Sequence, residues 1–361
     1  MRRLNIAAVC GLALLLCLGL VRTVQAEDIA FLTDEIREAV EARRGETALS
    51  KLAESMEPGT WAELETERPD RLWSAPPPGR GLHIGTWSDD AHWDSRTGQF
   101  LFFGVRQTRK FVAYSEEDNA WRVIDFHEEE NAPGLEQRFG HQYSGNAHDP
   151  VRSHFYTNNR RYNVLDNTWE ALPSWQRVSR ERSMTISYST GMDRLFVLIH
   201  QPRGVLRFFD AGEGAWKDHE TIPVHGYHSL ARDNPFREEV LFVGGNDSEA
   251  VAIVTKDGTV KQMKDFPEPI TVRSAIVTVD PLSGRYLMMA NNRAFYEFDS
   301  ENNEYRLIDN FTETPLPFPP RSAPLVAFIP EYGVTMWADQ NVMLYKHDAP
   351  VENEEEEKAD E

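Results

Sequence analysis

The chain repeats one short pattern six times between about residue 81 and its C-terminal end. In each copy an apolar segment runs into a turn that contains Asp, Pro, Ser or Gly, and a second apolar segment follows the turn. Repeats of this length, built from short strands, are typical of a β-propeller, in which each repeat forms one blade. The turns recur at intervals of roughly 40 to 55 residues and begin at Asp94, Asp149, Ser189, Asp233, Asp280 and Pro330.

An acidic turn followed by an aromatic residue recurs in the second half of most repeats. Asp, Asn and Gly suit a tight hairpin because they tolerate positive φ. We therefore predict that these turns join the third and fourth strands of each blade, and that the aromatic ring packs between neighbouring blades. The turns lie at 118–121, 166–169, 210–216 and 299–305, and blade four has a variant at 257–260 that lacks the aromatic residue.

The sixth repeat is one strand short. It ends near residues 345–347, and the missing pattern occurs near the other end of the chain, at 59–64, which is similar to 167–172. Pairing of this N-terminal strand with the last repeat would cover two sheet edges that an open array exposes. The sequence thus predicts an all-β fold, a six-bladed β-propeller whose last blade is completed by an N-terminal strand.

The first 26 residues have the composition of a secretory signal peptide, with Arg2 and Arg3 at the start, an apolar core and a small residue, Ala26, at the expected cleavage point. We expect an exported, soluble protein, periplasmic or extracellular, with no membrane insertion after cleavage; an uncleaved N-terminal anchor is the alternative. Both cysteines, Cys10 and Cys17, lie in this segment. The mature chain would therefore contain no disulfide and no thiolate.

Residues 27–58 predict a short helical lead-in that packs on the propeller. Thr33 and Thr47 are suitable helix N-caps, and Gly45 separates the two helices. The apolar face of this segment is too small to form a core of its own. The remaining segments are the propeller, 59–348, and an acidic disordered tail, 349–361.

The formal net charge is −20. So acidic a chain argues against nucleic acid and anionic membranes as partners. The sequence also contains no nucleotide-binding loop, no Gly-x-Ser-x-Gly elbow and no His-Glu-x-x-His motif. We expect a monomer without a cofactor and without a metal site.

Several short motifs recur within the repeats: Val-Gly-Gly-Asn at 243–246, Phe-Gly at 103–104, Arg-Ser at 182–183, 273–274 and 321–322, and the spaced tryptophans. They resemble those of kelch-like propellers of the galactose oxidase central-domain type, in particular their secreted bacterial members. The resemblance covers roughly residues 59–348, although Gly-Gly is intact in the fourth repeat alone. It implies a propeller but no single activity. Copper chemistry of the galactose oxidase kind needs a cysteine-linked tyrosine, which the mature chain lacks.

Polar residues recur just before the predicted first strand of the blades. First strands line the central channel of a propeller, and the loops at its mouth converge. We therefore predict a ring of His, Tyr, Arg and Ser side chains at one end of the channel, with Trp87 and Trp93 as further aromatic platforms. The predicted ligand-binding residues are His141, Tyr143, Arg182, His225, Tyr227, His228, Arg273 and Arg321.

Three functions suit such a ring. In a binding protein, aromatic faces stack on sugars while Arg and His pair with carboxylate or sulfate, so a glycan, acidic or not, or another protein is the expected partner. In a polysaccharide lyase, His225, Tyr227 and Arg273 could supply base, acid and a cation for the uronate. In a non-catalytic interaction scaffold, the channel is filled and the outer loops do the binding. The polar residues then have a structural role and tie adjacent blades together. The sequence favours the binding protein over the enzyme.

Overall fold

The computed structural model describes the two helices, all six blades and much of their connections. The described residues are 27, 29–74, 84–85, 91–104, 110–124, 144–157, 159–176, 185–200, 204–224, 228–246, 248–271, 275–311 and 324–348. Within them, strands form six sheets of four antiparallel strands each. The predicted six-bladed propeller is confirmed.

Two helices and one strand precede the first complete blade: α1 (Asp34–Arg43), α2 (Ala48–Ser55) and β1 (Thr60–Glu63). Blade 1 contains β2 (His92–Asp94), β3 (Gln99–Gly104), β4 (Lys110–Ser115) and β5 (Ala120–Ile124). Blade 2 contains β6 (Asn146–Asp149), β7 (His154–Thr157), β8 (Arg160–Asn163) and β9 (Thr168–Ala171). Blade 3 contains β10 (Thr185–Ser189), β11 (Arg194–Ile199), β12 (Val205–Asp210) and β13 (Ala215–Thr221).

Blade 4 contains β14 (Ser229–Asn234), β15 (Glu239–Gly244), β16 (Val251–Thr255) and β17 (Val260–Gln262). Blade 5 contains β18 (Ile276–Val279), β19 (Tyr286–Met289), β20 (Ala294–Asp299) and β21 (Glu304–Asn310). Blade 6 contains β22 (Leu325–Ile329), β23 (Val334–Ala338), β24 (Val342–Lys346) and, on its outer edge, β1. A 3-10 turn, Pro330–Tyr332, connects β22 to β23.

Burial along the strands follows their position in the blade. The inner strand β18 and its neighbour β19 are buried at every residue, whereas every residue of the outer strand β21 is exposed or half-buried. Strands that are covered on both faces need continuous apolar runs, and an outer strand needs them on one face alone. This difference explains why the apolar run after each repeated turn, which forms the second strand, stands out in the sequence.

The hairpins between third and fourth strands have the backbone that their sequence predicts. Asn119, Asn167 and Asn303 adopt left-handed conformations with φ of 50°, 55° and 56°. In two blades a tyrosine from the third strand fastens the turn, because the hydroxyl of Tyr114 donates to Asn119 Oδ1 at 2.9 Å and that of Tyr162 to Asn167 Oδ1 at 2.6 Å. Asparagine thus supplies both the conformation and the acceptor.

The aromatic residues after these turns pack between blades, as predicted. The Trp169 ring of blade 2 lies 6.2 Å and 5.5 Å, between centroids, from Phe103 and Phe111 of blade 1. The Tyr305 ring of blade 5 lies 5.5 Å from Phe266, which follows the last strand of blade 4. Blades 1 and 2, and likewise blades 4 and 5, are therefore joined by an edge-to-face aromatic contact.

The N-terminal strand closes the ring. Strand β1 pairs antiparallel with β24, and Trp61 lies opposite Tyr345. The two rings stack with centroids 4.5 Å apart, and Trp61 also meets Trp337 edge to face at 5.2 Å. The closure predicted from the similarity of 59–64 to 167–172 is confirmed.

The six inner strands β2, β6, β10, β14, β18 and β22 stand side by side around the channel. A parallel bridge joins Ser144 to Thr185, just at the start of the first strands of blades 2 and 3. We call the end of the ring where the inner strands begin the loop face. The end where they finish, in the turns that the sequence repeats, is the turn face.

Both helices begin where the sequence predicts. The Thr33 hydroxyl accepts a hydrogen bond from the Ile36 main-chain nitrogen at 3.4 Å, and the Thr47 hydroxyl accepts one from Ser50 at 3.1 Å. Gly45, with φ of 69°, lies between them. Among the described residues, no helix is long and apolar enough to cross a membrane.

The helices dock on the turn face through one arginine. Arg43, the last residue of α1, donates from Nε to Glu116 Oε2 at 2.9 Å and from Nη2 to the main-chain carbonyl of Ser95. The other oxygen of Glu116 accepts from the hydroxyls of Thr47 at 2.7 Å and Tyr332 at 2.6 Å. Blades 1 and 6 and both helices therefore share one buried carboxylate.

Polar contacts also join every neighbouring pair of blades. Such bonds are directional, so they hold the angle between blades that apolar packing alone leaves adjustable. From blade 1 onward the pairs are His148 with Asp94 (3.0 Å), Arg152 with Asp193 (2.5 Å), the Thr190 nitrogen with Asp233 (3.2 Å), Asn234 with the Gly284 carbonyl (2.7 Å), His347 with Glu297 (2.5 Å) and Trp93 with Glu331 (2.8 Å).

The closing strand yields a first prediction. Trp61→Ala removes the ring contacts that hold β1 on blade 6, and we expect it to lower the free energy of unfolding by about 3 kcal/mol. Because β1 loosens, tryptic cleavage at Lys51 and Arg68, which flank it, should also become faster. Urea denaturation and limited proteolysis measure the two effects.

The matched control is Trp169→Ala, which removes the equivalent tryptophan from blade 2, where all four strands are consecutive in the chain. It should lower stability by a similar amount without changing the cleavage rate at Lys51 or Arg68. Equal acceleration of cleavage in both variants would contradict a special role of β1 in closure.

Candidate functional site

Most of the residues predicted from sequence to line the channel mouth lie outside the described residues, and His228 is the exception. His228 directly precedes Ser229, the first residue of β14, and its side chain is half-buried. Its φ is 74°, a left-handed conformation that is uncommon for a residue with a Cβ atom. Residues in this conformation are over-represented at functional sites. Those outside the described part are His141, Tyr143, Arg182, His225, Tyr227, Arg273, Arg321 and the platform residue Trp87.

The strand starts that follow these residues in the chain meet at the loop face. The hydroxyl oxygens of Thr185 and Ser229 are 2.8 Å apart, and the Ser144 hydroxyl accepts a hydrogen bond from the Ala231 nitrogen at 3.1 Å. Ser144, Thr185 and Ser229 are all buried. The first strands of blades 2, 3 and 4 therefore begin at one cluster of hydroxyl groups.

Arg232 fills the channel. It extends from β14 in blade 4 and donates from Nε to the Val277 carbonyl of blade 5 and from Nη1 to the Ala91 carbonyl of blade 1, both at 3.0 Å. Blades 1 and 4 are on opposite sides of a six-bladed ring, so the side chain spans the channel. Arg232 is 2% exposed.

A small cavity lies between Arg232 and the turn face. Its volume is about 30 Å³, which is room for about two water molecules. A sugar ring cannot fit there. The polar part of its wall is formed by His92, His148, Arg232, Asp233 and Ser95, and the apolar part includes Phe31, Pro150, Pro235, Phe328 and Pro330.

Two histidines in this wall are held by neighbouring blades. His148 Nε2 lies 3.0 Å from Asp94 Oδ2, and the His92 and His148 rings are 6.1 Å apart. Burial raises the pKa of Asp94, but the hydrogen bond and charge of His148 outweigh it and bring this pKa below its ordinary value. Burial, together with the charges of Arg232 and His148, lowers the pKa of His92 well below its ordinary value. His92 is therefore a neutral imidazole near pH 7.

Two buried carboxyl groups at the turn face have raised pKa values. Burial raises the pKa of Asp233 to about 7 against the opposing hydrogen bonds from Thr190. Burial and the charge of Glu116 raise the pKa of Glu331 to about 7 against the hydrogen bond from Trp93. Both acids lie on seams between blades.

Trp93 is not an aromatic platform. It lies on the inner strand β2, is 5% exposed, and donates from Nε1 to Glu331 Oε1 at 2.8 Å. The ring packs in the core between blades 1 and 6, because a bulky residue beside the turn must fill the wedge between the two sheets. The prediction of Trp93 as a ligand-binding surface is wrong.

Sequence reasoning missed Arg232, His92 and the pairing of His148 with Asp94. The sequence does contain a signal for Arg232, which is a charged residue within the buried inner strand Ser229–Asn234. Charged side chains are rarely buried without a partner. The partner across the channel, Ala91, is 141 residues away in the chain. No local pattern identifies such a contact.

Six four-stranded blades, whose inner strands surround a channel that Arg232 spans, define this protein as a six-bladed β-propeller. No protein-family model and no curated protein sequence matches the chain. A structural genomics protein of unknown function from Bacteroides thetaiotaomicron is similar, with a TM-score of 0.51 and 9% identity over 79% of this chain and 75% of that chain. At this identity the likeness concerns the fold alone.

Two lyase structures have lower TM-scores. A streptogramin B lyase aligns with a TM-score of 0.45 and 12% identity, covering 70% of this chain and 76% of that one. The virginiamycin B lyase from Staphylococcus aureus aligns with a TM-score of 0.46 and 12% identity, covering 70% and 78%. Similarity this distant carries no conclusion about activity.

The raised pKa of Asp233 predicts a pH-dependent stability. Its ordinary pKa is 3.8, so between pH 4 and pH 7 the folded protein keeps a proton that the unfolded chain has lost. The contribution of this proton to the free energy of unfolding is complete below pH 4. It decreases as the pH rises from 4 to 7, by up to about 1.4 kcal/mol per pH unit. Asp233→Asn should remove this loss, so its stability relative to the wild type rises between pH 5 and pH 7.

Urea denaturation at pH 5, 6 and 7 measures the difference. Asp257→Asn is the control, because hydrogen bonds from Thr255 and Thr259 lower the pKa of this exposed carboxyl to about 2, so its titration lies below the measured range. A constant difference between Asp233→Asn and the wild type across these pH values would show that Asp233 is ionised throughout.

Proposed function

We propose that the protein is an exported, kelch-like binding protein that holds an acidic glycan at the loop face of its propeller. The binding residues are His141, Tyr143, Arg182, His225, Tyr227, His228, Arg273 and Arg321. The observation that carries the proposal is the meeting of the inner strand starts at Ser144, Thr185 and Ser229.

The closed channel supports a site on the surface of the loop face. Arg232 spans the interior, and the cavity on its other side is too small for a sugar. At the turn face, α1 and α2 cover blades 1 and 6 through the Arg43 and Glu116 contact. Of the two ends of the channel, the loop face is therefore the one that we propose for a ligand of saccharide size.

The residue types before the inner strands support an anionic ligand. The chain as a whole carries a net charge of −20, yet Arg182, Arg273 and Arg321 occur at matching points of three repeats. Arginine pairs with carboxylate and sulfate groups through two parallel hydrogen bonds, and tyrosine faces stack on sugar rings. A local group of cationic side chains attracts anionic ligands, and the acidic remainder of the surface repels them.

The rigid ring supports preorganised binding. Loops that are held by a stiff scaffold lose less entropy when they bind a ligand. The buried hydroxyl cluster fixes the starts of three inner strands, and the aromatic contact between blades fixes their separation. The ends of the strands next to the proposed site are therefore held in a constant arrangement.

Binding to a panel of polysaccharides tests the proposal. We expect the mature protein to be retarded in native gels that contain polygalacturonate, alginate or chondroitin sulfate, and not in gels that contain dextran. Arg273→Ala should weaken binding about tenfold, since a hydrogen bond to a charged group contributes about 1.5 kcal/mol or more. Tyr227→Phe should weaken it less, because the ring remains.

The control is His219→Ala, which removes a histidine on the outer strand β13 that bonds the Gly258 carbonyl. It should leave retardation unchanged. Release of unsaturated sugars by the wild type and not by His225→Ala would make the protein a polysaccharide lyase. No retardation by any polysaccharide, with all variants folded, would contradict glycan binding and favour a protein-interaction scaffold.

A further inference from the structure

Residues 29–43, which we call the lid, lie across the turn face. Near one end of the lid, the Phe31 ring meets Phe236 of blade 4 edge to face, with centroids 5.5 Å apart. At the other end, Arg43 bonds Glu116 of blade 1. Phe31 also forms part of the wall of the cavity, and the other wall residues belong to blades 1, 2, 4 and 6. The lid therefore covers the turn-face end of the channel.

We propose that a proton on Glu331 controls the lid, which stays closed while Glu331 carries the proton and loosens when Glu331 loses it. This device lies at the other end of the channel from the loop face and does not depend on glycan binding. Three features support it: the small apolar contact of the lid, the arginine that two acids share at its end, and the surroundings of Glu331.

The apolar contact of the lid is small. Its buried side chains are Ile29, Leu32, Ile36 and Val40, and Phe236 is the propeller residue that packs against this cluster. The helix α2, by contrast, belongs to the large core that also contains much of blades 1 and 6. The lid can therefore lift while α2 and the blades stay folded, and its polar contacts at Arg43 matter most for docking.

One arginine faces two buried acids at the end of the lid. Arg43 donates from Nε to Glu116 Oε2 at 2.9 Å, and its Nη1 and Nη2 donate to the main-chain carbonyls of Arg96 and Ser95. Nη2 lies 3.9 Å from Glu331 Oε1. Both acid side chains are fully buried. Arg43 thus balances the charge of Glu116, and an ionised Glu331 would add a second buried negative charge beside it.

The other charged and titratable groups of the elements that meet here have partners of their own. Arg44 donates to Glu41 Oε1 at 3.0 Å and to the main-chain carbonyl of Glu331, not to its carboxyl group. The Tyr332 hydroxyl donates to Glu116 at 2.6 Å. The further pairs are Arg96 with Glu35 (2.6 Å), Arg37 with Asp34 (3.0 Å), Lys51 with the Glu46 carbonyl (2.7 Å), Glu54 with Ser50 (3.2 Å) and Asp94 with His148 (3.0 Å).

The carboxyl group of Glu331 is held by neutral donors. Oε1 accepts from Trp93 Nε1 and Oε2 accepts from the Ser95 hydroxyl, both at 2.8 Å. Burial and the charge of Glu116 raise the pKa of Glu331 from 4.5 to about 7. When the lid lifts, water reaches the carboxyl group and its pKa returns toward the ordinary value. The closed state therefore binds the proton more tightly, and a rise in pH from 4.5 to 7 favours opening.

Hydrogen exchange of the α1 amides measures the opening of the lid. After correction for intrinsic exchange rates, we expect the protection of residues 33–44 to fall by up to about tenfold per pH unit between pH 5 and pH 7. Above pH 7 it should level off, because Glu331 is then ionised in both states. The buried strand β19 should be more protected than α1 at every pH, because it exchanges through larger openings.

Glu331→Gln keeps the shape of the protonated acid. Its α1 should be as protected at pH 7 as that of the wild type at pH 5, without a dependence on pH. Asp233→Asn is the matched control, since it changes another buried acid with a pKa of about 7 that bonds Thr190 on the seam between blades 3 and 4. The pH dependence of α1 protection should remain in this variant.

Glu116→Gln provides a second test, which decides if Glu331→Gln does not fold. It removes the charge beside Glu331 and leaves Arg43 to pair with that acid. The fall in α1 protection should then move to lower pH, because Glu331 ionises more easily.

Three results would overturn the proposal. The first is α1 protection that stays constant between pH 5 and pH 7 in the wild type. The second is the same pH dependence in Glu331→Gln as in the wild type, which would assign the titration to another group. The third is equal protection of α1 and β19, which would mean that α1 is released by global unfolding alone. Retardation by polysaccharides at a fixed pH is independent of all three.

Discussion

Closure of the ring by β1 is the constraint on which the rest of the structure depends. Blades 1 to 5 are each made from consecutive strands, whereas blade 6 joins Thr60–Glu63 to strands that end at Lys346. Without that pairing, β24 would expose its edge and the contact between blades 5 and 6 would lose the Trp61 ring. Pairing β1 with β24 costs chain entropy, because the two strands are far apart in the sequence. The strand pairing and the aromatic contacts of Trp61 offset this cost, and they close the ring of six blades.

Closure also determines what the two faces can do. Since β1 enters blade 6 from α2, the helices are brought over the turn face, where Glu116 accepts hydrogen bonds from Arg43, Thr47 and Tyr332. Burying a carboxylate is costly unless its oxygens are satisfied. The oxygens of Glu116 are satisfied by the last residue of α1, the N-cap of α2 and a tyrosine of blade 6. The helices therefore cover the turn face at blades 1 and 6.

The local features of the fold were predictable from the sequence and the contacts across the ring were not. The repeat, the Asn turns, the helix caps Thr33 and Thr47 and the closing strand all depend on neighbours within a few residues or on repetition, and each is confirmed. Trp93 shows the limit, because a tryptophan beside a turn looks like a surface residue until the next blade covers it. Whether the ring of residues predicted at the loop face binds a ligand depends on their mutual geometry, which periodicity does not specify.

Polar contacts in the channel join blades that the described residues link by no disulfide. Arg232 bonds carbonyls of blades 1 and 5, and His148 bonds Asp94 of blade 1, so the inner strands are linked across the ring as well as around it. Hydrogen bonds to charged groups in a water-poor interior are stronger and more directional than apolar contacts. Blades that cannot rotate relative to one another hold the starts of the inner strands at constant separations.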